Sequence, residues 1–226
     1  MYSGAKKNGV MGGRQMTQIF LVRHGETVWN TQCRIQGHLD SPLTRTGLSQ
    51  AKALAKHFKS QKFAALYGSD LGRAYETARC ISEKNGLPIV IDQRLRERNF
   101  GIFQGVIKND LKTKFPEAFR YYQANDADYV IEEGESLKQL SKRCLDCFEE
   151  LVQKHVDERI LIVTHSGVLV SLFKHTLNIP LDAPRRFLSS NCGINVFYYQ
   201  DKTWLLERLG DLSHLHGVKS IDDSSL

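Results

Sequence analysis

Apolar positions along this 226-residue chain fall into two alternating rhythms. Short β-branched runs are followed by stretches whose apolar residues recur three and four apart. Gln18–Val22 predicts a strand, and Leu48, Ala51, Leu54, Ala55 and Phe58 predict an amphipathic helix over 45–59. A strand over 63–67 precedes a helix from Leu71 to Glu83 with Asp70 as its N-cap, and 88–91 is a short strand. Leu137, Leu140, Cys144, Phe148 and Leu151 mark a long helix over 135–154. Ile160–Val163 is a buried strand with a helix over 167–177 behind it, and 195–199 with 203–209 reads as an antiparallel pair at a sheet edge. Strands alternating with helices imply an α/β fold, a three-layer α/β/α sandwich around a mainly parallel central sheet.

The ends of the chain do not share these rhythms. Residues 1–16 are rich in Gly, Lys and polar residues and read as a disordered or added extension, and 219–226 read as a flexible tail. The expected domain is 17–218, with a cap over about 100–134 where Phe103, Phe115, Phe119, Tyr121, Tyr122 and Tyr129 are concentrated. These aromatics either pack a small helical cap or line a pocket, while Lys108, Lys112 and Lys114 read as a solvated face. The net charge is +6, but Lys6, Lys7 and Arg14 lie in the N-terminal stretch, so the body is only mildly basic. That balance suits small anionic substrates and lacks the basic, aromatic-interleaved stripe of a nucleic-acid binder. The most apolar window, Ile160 to Phe173, is cut by Thr164, His165 and Ser166, and no run reaches the roughly 18 residues of a membrane span. Five cysteines make an odd set; Cys144 and Cys147 form a CxxC inside a helical pattern and read as buried thiols. This usage fits a reduced, cytoplasmic protein.

Three predicted strands each run into a polar cluster and then a helix: Val22-Arg23-His24-Gly25-Glu26-Thr27, Tyr67-Gly68-Ser69-Asp70-Leu71-Gly72-Arg73 and Val163-Thr164-His165-Ser166-Gly167. In an open α/β sheet, ligands bind beyond the carboxyl ends of the strands. If these strands are neighbours, Arg23, His24, Arg73 and His165 meet in one crevice ringed by helix N-termini. Arginine forks match phosphoryl oxygens two at a time. A neutral histidine beside them can attack phosphorus and form a phosphohistidine, with no metal required. The leaving alkoxide then needs a proton, and the candidate donor is Glu97 in Leu95-Arg96-Glu97-Arg98-Asn99-Phe100-Gly101. His38, His57, His155 and His175 read as ordinary structural histidines.

Arg23-His24-Gly25-Glu26-Thr27 followed by Trp29-Asn30 resembles the opening motif of the histidine phosphatase superfamily, whose best-known members are the cofactor-dependent phosphoglycerate mutases. The resemblance extends in order through Gln36-Gly37, Asp40-Ser41-Pro42-Leu43-Thr44, Ser69 to Ala74, Leu95 to Gly105, Glu133-Gly134-Glu135-Ser136, Thr164 to Gly167 and Asn191-Cys192-Gly193. It implies that His24 is phosphorylated, that Arg23, Arg73 and His165 hold the phosphate, and that Glu97 is the acid and later the base. It also implies phosphate contact by Asn30, substrate contact by Gln36 and Gly37, a backbone donor at Ser166, and structural roles for Glu26 and Trp29. The mutases of this family have a longer insertion between acid and second histidine, an adjacent arginine pair within it, and a tyrosine three residues after the acid. Here that tyrosine is Phe100, Arg120 stands alone, and Arg185-Arg186 lies past His165.

These departures favour a metal-independent phosphomonoesterase of small phosphorylated metabolites. A phosphoglycerate mutase, which would need a 2,3-bisphosphoglycerate primer, and a non-catalytic phospho-ligand module are the alternatives. No other cofactor is expected. The expected partner is the small phosphorylated substrate, with neither nucleic acid nor membrane; edge strands and an apolar helix face leave room for a homodimer.

Overall fold

The structure is a computed structural model in which residues 15–218 are described; the expectations for 1–14 and 219–226 lie outside them. Strand β1 (Met16–Arg23) leads through a short helix α1 (Val28–Thr31) to α2 (Arg45–Phe58). Then come β2 (Ala65–Gly68), α3 (Gly72–Asn85) and β3 (Ile89–Ile91). A segment of short helical turns, including α4 (Leu111–Lys114) and α5 (Pro116–Gln123), precedes α6 (Leu137–Lys154). The chain closes with β4 (Arg159–Thr164), α7 (Ser166–Thr176), β5 (Ile194–Gln200) and β6 (Thr203–Asp211). The expected extension over 1–16 runs one residue too far. Met16 already pairs with Gln200, and its N–H donates to Asp157 Oδ1 at 2.9 Å.

The sheet order is β3-β2-β4-β1-β5-β6, with β1, β2, β3 and β4 parallel and β5 and β6 antiparallel at one edge. Alternation along each strand builds the two outer layers. Ile19, Leu21, Ile160 and Ile162 face one way, onto Leu140, Phe148, Leu151, Val168 and Leu172 of α6 and α7. Phe20, Val22, Leu161 and Val163 face the other way, onto Leu54, Phe58, Ala74 and Ile81 of α2 and α3. Side chains of a strand alternate between faces, so one buried strand serves both layers. Cys144 and Cys147 are free, buried thiols of α6, and burial pushes Cys144 up to about 12.

Residues 100–134 form a third unit. Ile35, Phe103, Leu111 and Ile131 are buried together, with Phe100, Phe115, Phe119, Tyr122 and Tyr129 against them. The aromatic concentration is therefore chiefly the inside of a small cap, anchored by Ile35 from the loop after α1. Lys112 and Lys114 are exposed, as expected of a solvated face, whereas Lys108 is half-buried.

Candidate active site

The sheet order makes β2, β4 and β1 consecutive, and their registers pair Gly68 with Val163 and Arg23 with Thr164. All three polar clusters thus leave the sheet at one level, directly beside each other. The ladder continues one residue further: His24 N–H donates to Thr164 O at 2.9 Å and Ser69 N–H to Val163 O at 3.1 Å. Gly25 is required here by contact, because a Cβ at this position would lie 2.6 Å from Gly47 O at the start of α2. The turn after His24 is pressed onto that helix, which fixes the direction of the imidazole.

The His24 and His165 rings lie 5.2 Å apart, and both residues are buried. His24 Nδ1 is 2.8 Å from Gly25 O. A carbonyl only accepts, so Nδ1 carries the proton and the lone pair sits on Nε2. Asn191 Nδ2 donates to His24 O at 2.9 Å and supports the same residue from below. His165 Nε2 is 2.8 Å from Ser69 Oγ. That oxygen also accepts from Leu71 N–H at 3.3 Å and keeps its own proton to donate to Nε2; in that tautomer His165 Nδ1, which has no hydrogen-bond partner among the described residues, carries the ring proton. Burial first, and then the nearby Arg73 and Arg23 charges, hold His165 well below the usual histidine range, so it stays neutral.

Both arginines are fixed by backbone carbonyls. Arg73, 1% exposed, donates through Nη1 to Leu39 O and Asp40 Oδ1 at 3.0 and 2.9 Å, and through Nη2 to Gly37 O at 2.7 Å. Burial, with a smaller push from the Arg23 charge, pulls its guanidinium pKa down, and the Asp40 and Glu97 carboxylates oppose that. Arg23 Nη1 donates to Ser189 O at 2.5 Å. Cations held this way reach a ligand with little further ordering.

Glu97 lies against the start of α7, its carboxylate bonded two residues along from His165. Its Oε1 accepts from Arg98 N–H at 2.7 Å and Gly167 N–H at 3.0 Å, the latter in the first turn of α7. A Cβ at residue 167 would meet Oε1 at 2.2 Å, so glycine is what admits the carboxylate. Its backbone is clamped as well: Arg143 of α6 donates to Arg94 O, Arg96 O and Glu97 O at 2.7, 2.8 and 2.8 Å and pairs with Glu135. His38 Nε2 lies 2.9 Å from Glu97 O.

The remaining expected positions are held by the protein in different ways. Asn30 Oδ1 is taken up by the capping box of α1, accepting from Thr27 N–H at 3.0 Å, so only its amide protons can serve a ligand. Gln36 is buried, with Thr27 Oγ1 3.1 Å from its Oε1. Gly37 adopts φ +58° and supplies the carbonyl that holds Arg73. Ser166 opens α7, so its N–H has no intrahelical acceptor. Glu26 accepts from Thr44 Oγ1 at 2.6 Å, a structural contact, and Arg34 covers the Trp29 ring at 5.7 Å.

The expected cap of α3 is corrected: Leu71 is the N-cap and makes no side-chain bond, while Asp70 pairs with Arg96 instead. The sequence reading missed Asp40, Ser69, Arg143 and His38 as partners of the site. It also set Arg185 aside, yet Arg185 Nη1 donates to Ser166 Oγ at 3.1 Å. Among the described residues no group of three or more His, Cys, Asp or Glu is arranged to hold a metal ion, and no helix is long and apolar enough to cross a membrane.

Comparison with known proteins agrees with this geometry. Over 207 residues the chain is 39% identical to a metal-independent phosphoserine phosphatase of Arabidopsis thaliana, covering 90% of this chain and 85% of that protein. Phosphoglycerate mutase-like protein 4 of the same plant is 39% identical over 202 residues, covering 88% and 86%. The solved structure of Bacillus stearothermophilus YhfR superposes with a TM-score of 0.80 at 34% identity, covering 88% of this chain and 98% of that one. Residues 19–212, which carry every group just described, match the family as a whole, and the chain belongs to the histidine phosphatase superfamily (branch 1).

Proposed function

We propose that this protein hydrolyses small phosphomonoesters through a phosphohistidine at His24. The observation that carries the reading is that adjacent strand ends bring Arg23, His24 and His165 together, with Arg73 in the first turn of α3 and Glu97 held at the start of α7. His24 Nε2 attacks phosphorus as the ester oxygen leaves. Charge spreads over the three equatorial oxygens, and the Arg23 and Arg73 forks, the His165 Nδ1–H and the Ser166 N–H at the start of α7 answer it. Glu97 gives the leaving oxygen its proton. In the second half Glu97 takes a proton from water as that water attacks the phosphohistidine, which releases phosphate and restores His24 and Glu97.

Hydrolysis is preferred over mutase chemistry on the cap. Phe100 holds the position of the mutase tyrosine and packs on Tyr122 at 6.2 Å, and Arg120 is exposed and covers Tyr121 at 5.0 Å. Neither supplies what a mutase uses to keep its glycerate. The relatives carry both kinds of name, so the test must separate them. Purified protein is given 3-phosphoglycerate with a trace of 2,3-bisphosphoglycerate, and 2-phosphoglycerate and free phosphate are followed together. Phosphate release without isomerisation is expected. Rapid 2-phosphoglycerate formation with little free phosphate would make the protein a mutase.

A further inference from the structure

We propose that His38 is a positioning residue that aims the Glu97 carboxylate by holding the peptide plane between Glu97 and Arg98. The inference deepens the phosphatase reading and rests on it for what Glu97 does. Glu97 O accepts two bonds, from His38 Nε2 at 2.9 Å and from Arg143 Nη2 at 2.8 Å. A carbonyl only accepts, so the ring proton of His38 that faces it is on Nε2. The other end of the same peptide unit is Arg98 N–H, which donates to Glu97 Oε1 at 2.7 Å. A peptide unit is planar, so its C=O and N–H turn together. Two donors, one from the loop after α1 and one from α6, fill both lone pairs of the oxygen and fix the plane. With Arg143 alone the plane can turn about a single bond, and the N–H that holds Oε1 turns with it. Gly167 N–H, 3.0 Å from the same Oε1, is then left to hold the carboxylate.

His38 is itself held in place. It is half-buried, and its own N–H donates to Gln104 Oε1 at 2.5 Å. Its neighbours in the chain hold Arg73, through Gly37 O, Leu39 O and Asp40 Oδ1. The ring therefore sets the acid in register with the loop that holds the Arg73 guanidinium. Other ties on this segment act ahead of Glu97. Thr164 Oγ1 donates to Leu95 O at 2.7 Å, and Arg96 pairs with Asp70. They fix where the chain runs and leave the direction of the 97–98 peptide to His38 and Arg143.

The test separates a leaving group that needs the acid from one that does not. In the full chain, His38→Leu fills the space without a donor, and His38→Gln returns an N–H near the place of Nε2. His38→Ala takes over if His38→Leu does not fold. The first turnover is followed by rapid quench with 3-phosphoglycerate, whose leaving alkoxide needs a proton, and with p-nitrophenyl phosphate, whose leaving group does not. In His38→Leu, glycerate release should slow about tenfold, the size of one lost hydrogen bond, and p-nitrophenol release by less than about twofold. His38→Gln should recover most of the loss. Adding His38→Leu to Glu97→Gln should slow the alkyl ester no further than Glu97→Gln alone, because His38 acts through Glu97. Equal slowing of both esters, no slowing of either, or additive losses in the double variant would overturn the assignment. A second readout needs no turnover: exchange of Arg98 N–H and Gly167 N–H with solvent should quicken about tenfold in His38→Leu and recover in His38→Gln. If wild-type protein hydrolyses neither ester, the phosphatase reading falls by itself and amide exchange decides on His38. Quickened exchange at both amides would uphold its hold on the Glu97 carboxylate, and unchanged exchange would refute it.

Discussion

The floor of the crevice and the cap above it solve different problems with different materials. On the floor, charged and polar side chains are buried and almost every one is tied to backbone: Arg73 to two carbonyls, Arg23 to Ser189 O, His24 Nδ1 to Gly25 O. In the cap over 100–134, three buried apolar residues (Phe103, Leu111 and Ile131), Ile35 from the loop after α1 and a shell of half-buried aromatics pack chiefly on one another, and Lys112, Lys114 and Arg120 lie outside. The floor holds a fixed charge distribution for a reaction that moves charge, and it is stiff because the sheet ladder and two helix starts over-determine it. The cap offers area and shape. Glu97 lies at the seam, its carboxylate on α7 and its carbonyl on Arg143 of α6.

The sharpest break of this comparison is at the seam. Glu97→Gln should slow hydrolysis of an alkyl phosphate by about 10²- to 10⁴-fold, the usual contribution of acid–base catalysis. With p-nitrophenyl phosphate, whose leaving group needs no proton, the first step should be nearly spared and phosphoenzyme should accumulate, because the second step lacks its base. Equal slowing of the first step for both esters, measured by rapid quench, would move the proton donor elsewhere.

Next in size is an effect confined to the cap. Phe103 is fully buried within the cap cluster, and Phe103→Ala should cost about 3–5 kcal/mol there. Amide hydrogen exchange should therefore quicken over 100–134 while β1 and β4 keep their protection, since the cap has its own core. An equal loss of protection in the strands would show floor and cap to be one cooperative unit.

The smallest effect concerns acid. Burial beside Arg73, His24 and Arg23 holds His165 neutral in the folded protein, with its pKa well below the ordinary value of 6.5. The unfolded chain takes up that proton below pH 6.5 and the folded chain resists it, so stability present above that pH is lost on acidification. His165→Asn should flatten the fall of unfolding free energy below pH 6.5 by up to one proton's worth of slope, measured in urea at several pH values. A slope unchanged by the substitution would mean that His165 titrates normally in the fold.

The floor was legible in the sequence because each of its strand ends is local: strand, polar cluster and helix start are contiguous, and only the neighbourhood of the strands had to be supplied by topology. What was not legible is what holds these residues from afar. Asp40 reaches Arg73, Ser69 reaches His165 and Arg143 reaches the Glu97 backbone, each through a fold-dependent contact that no local spacing announces. Asp70 shows the same limit from the other side. Its position favours a cap, but Arg96, brought close by the turn after β3, forms the stronger charged pair. The carboxamide oxygen of Asn30 serves the helix start, a contact the spacing did not announce. The cap aromatics could have lined a pocket or filled a core; packing with Ile35, a residue from another loop, decides mostly for the core. Arg185-Arg186 was set apart from the mutase arginine pair because it follows the second histidine, and the contact of Arg185 with Ser166 Oγ was not announced by any spacing.

The central claim is that His24 becomes phosphorylated. The most direct measurement mixes Glu97→Gln protein with p-nitrophenyl phosphate, quenches under alkaline conditions that preserve phosphohistidine, and maps the modified peptide by mass spectrometry. The account predicts one added phosphoryl group on His24, and no modified peptide when His24→Ala is combined with Glu97→Gln. Turnover by His24→Ala alone at a rate near wild type, or a phosphoryl group found on another side chain, would contradict it.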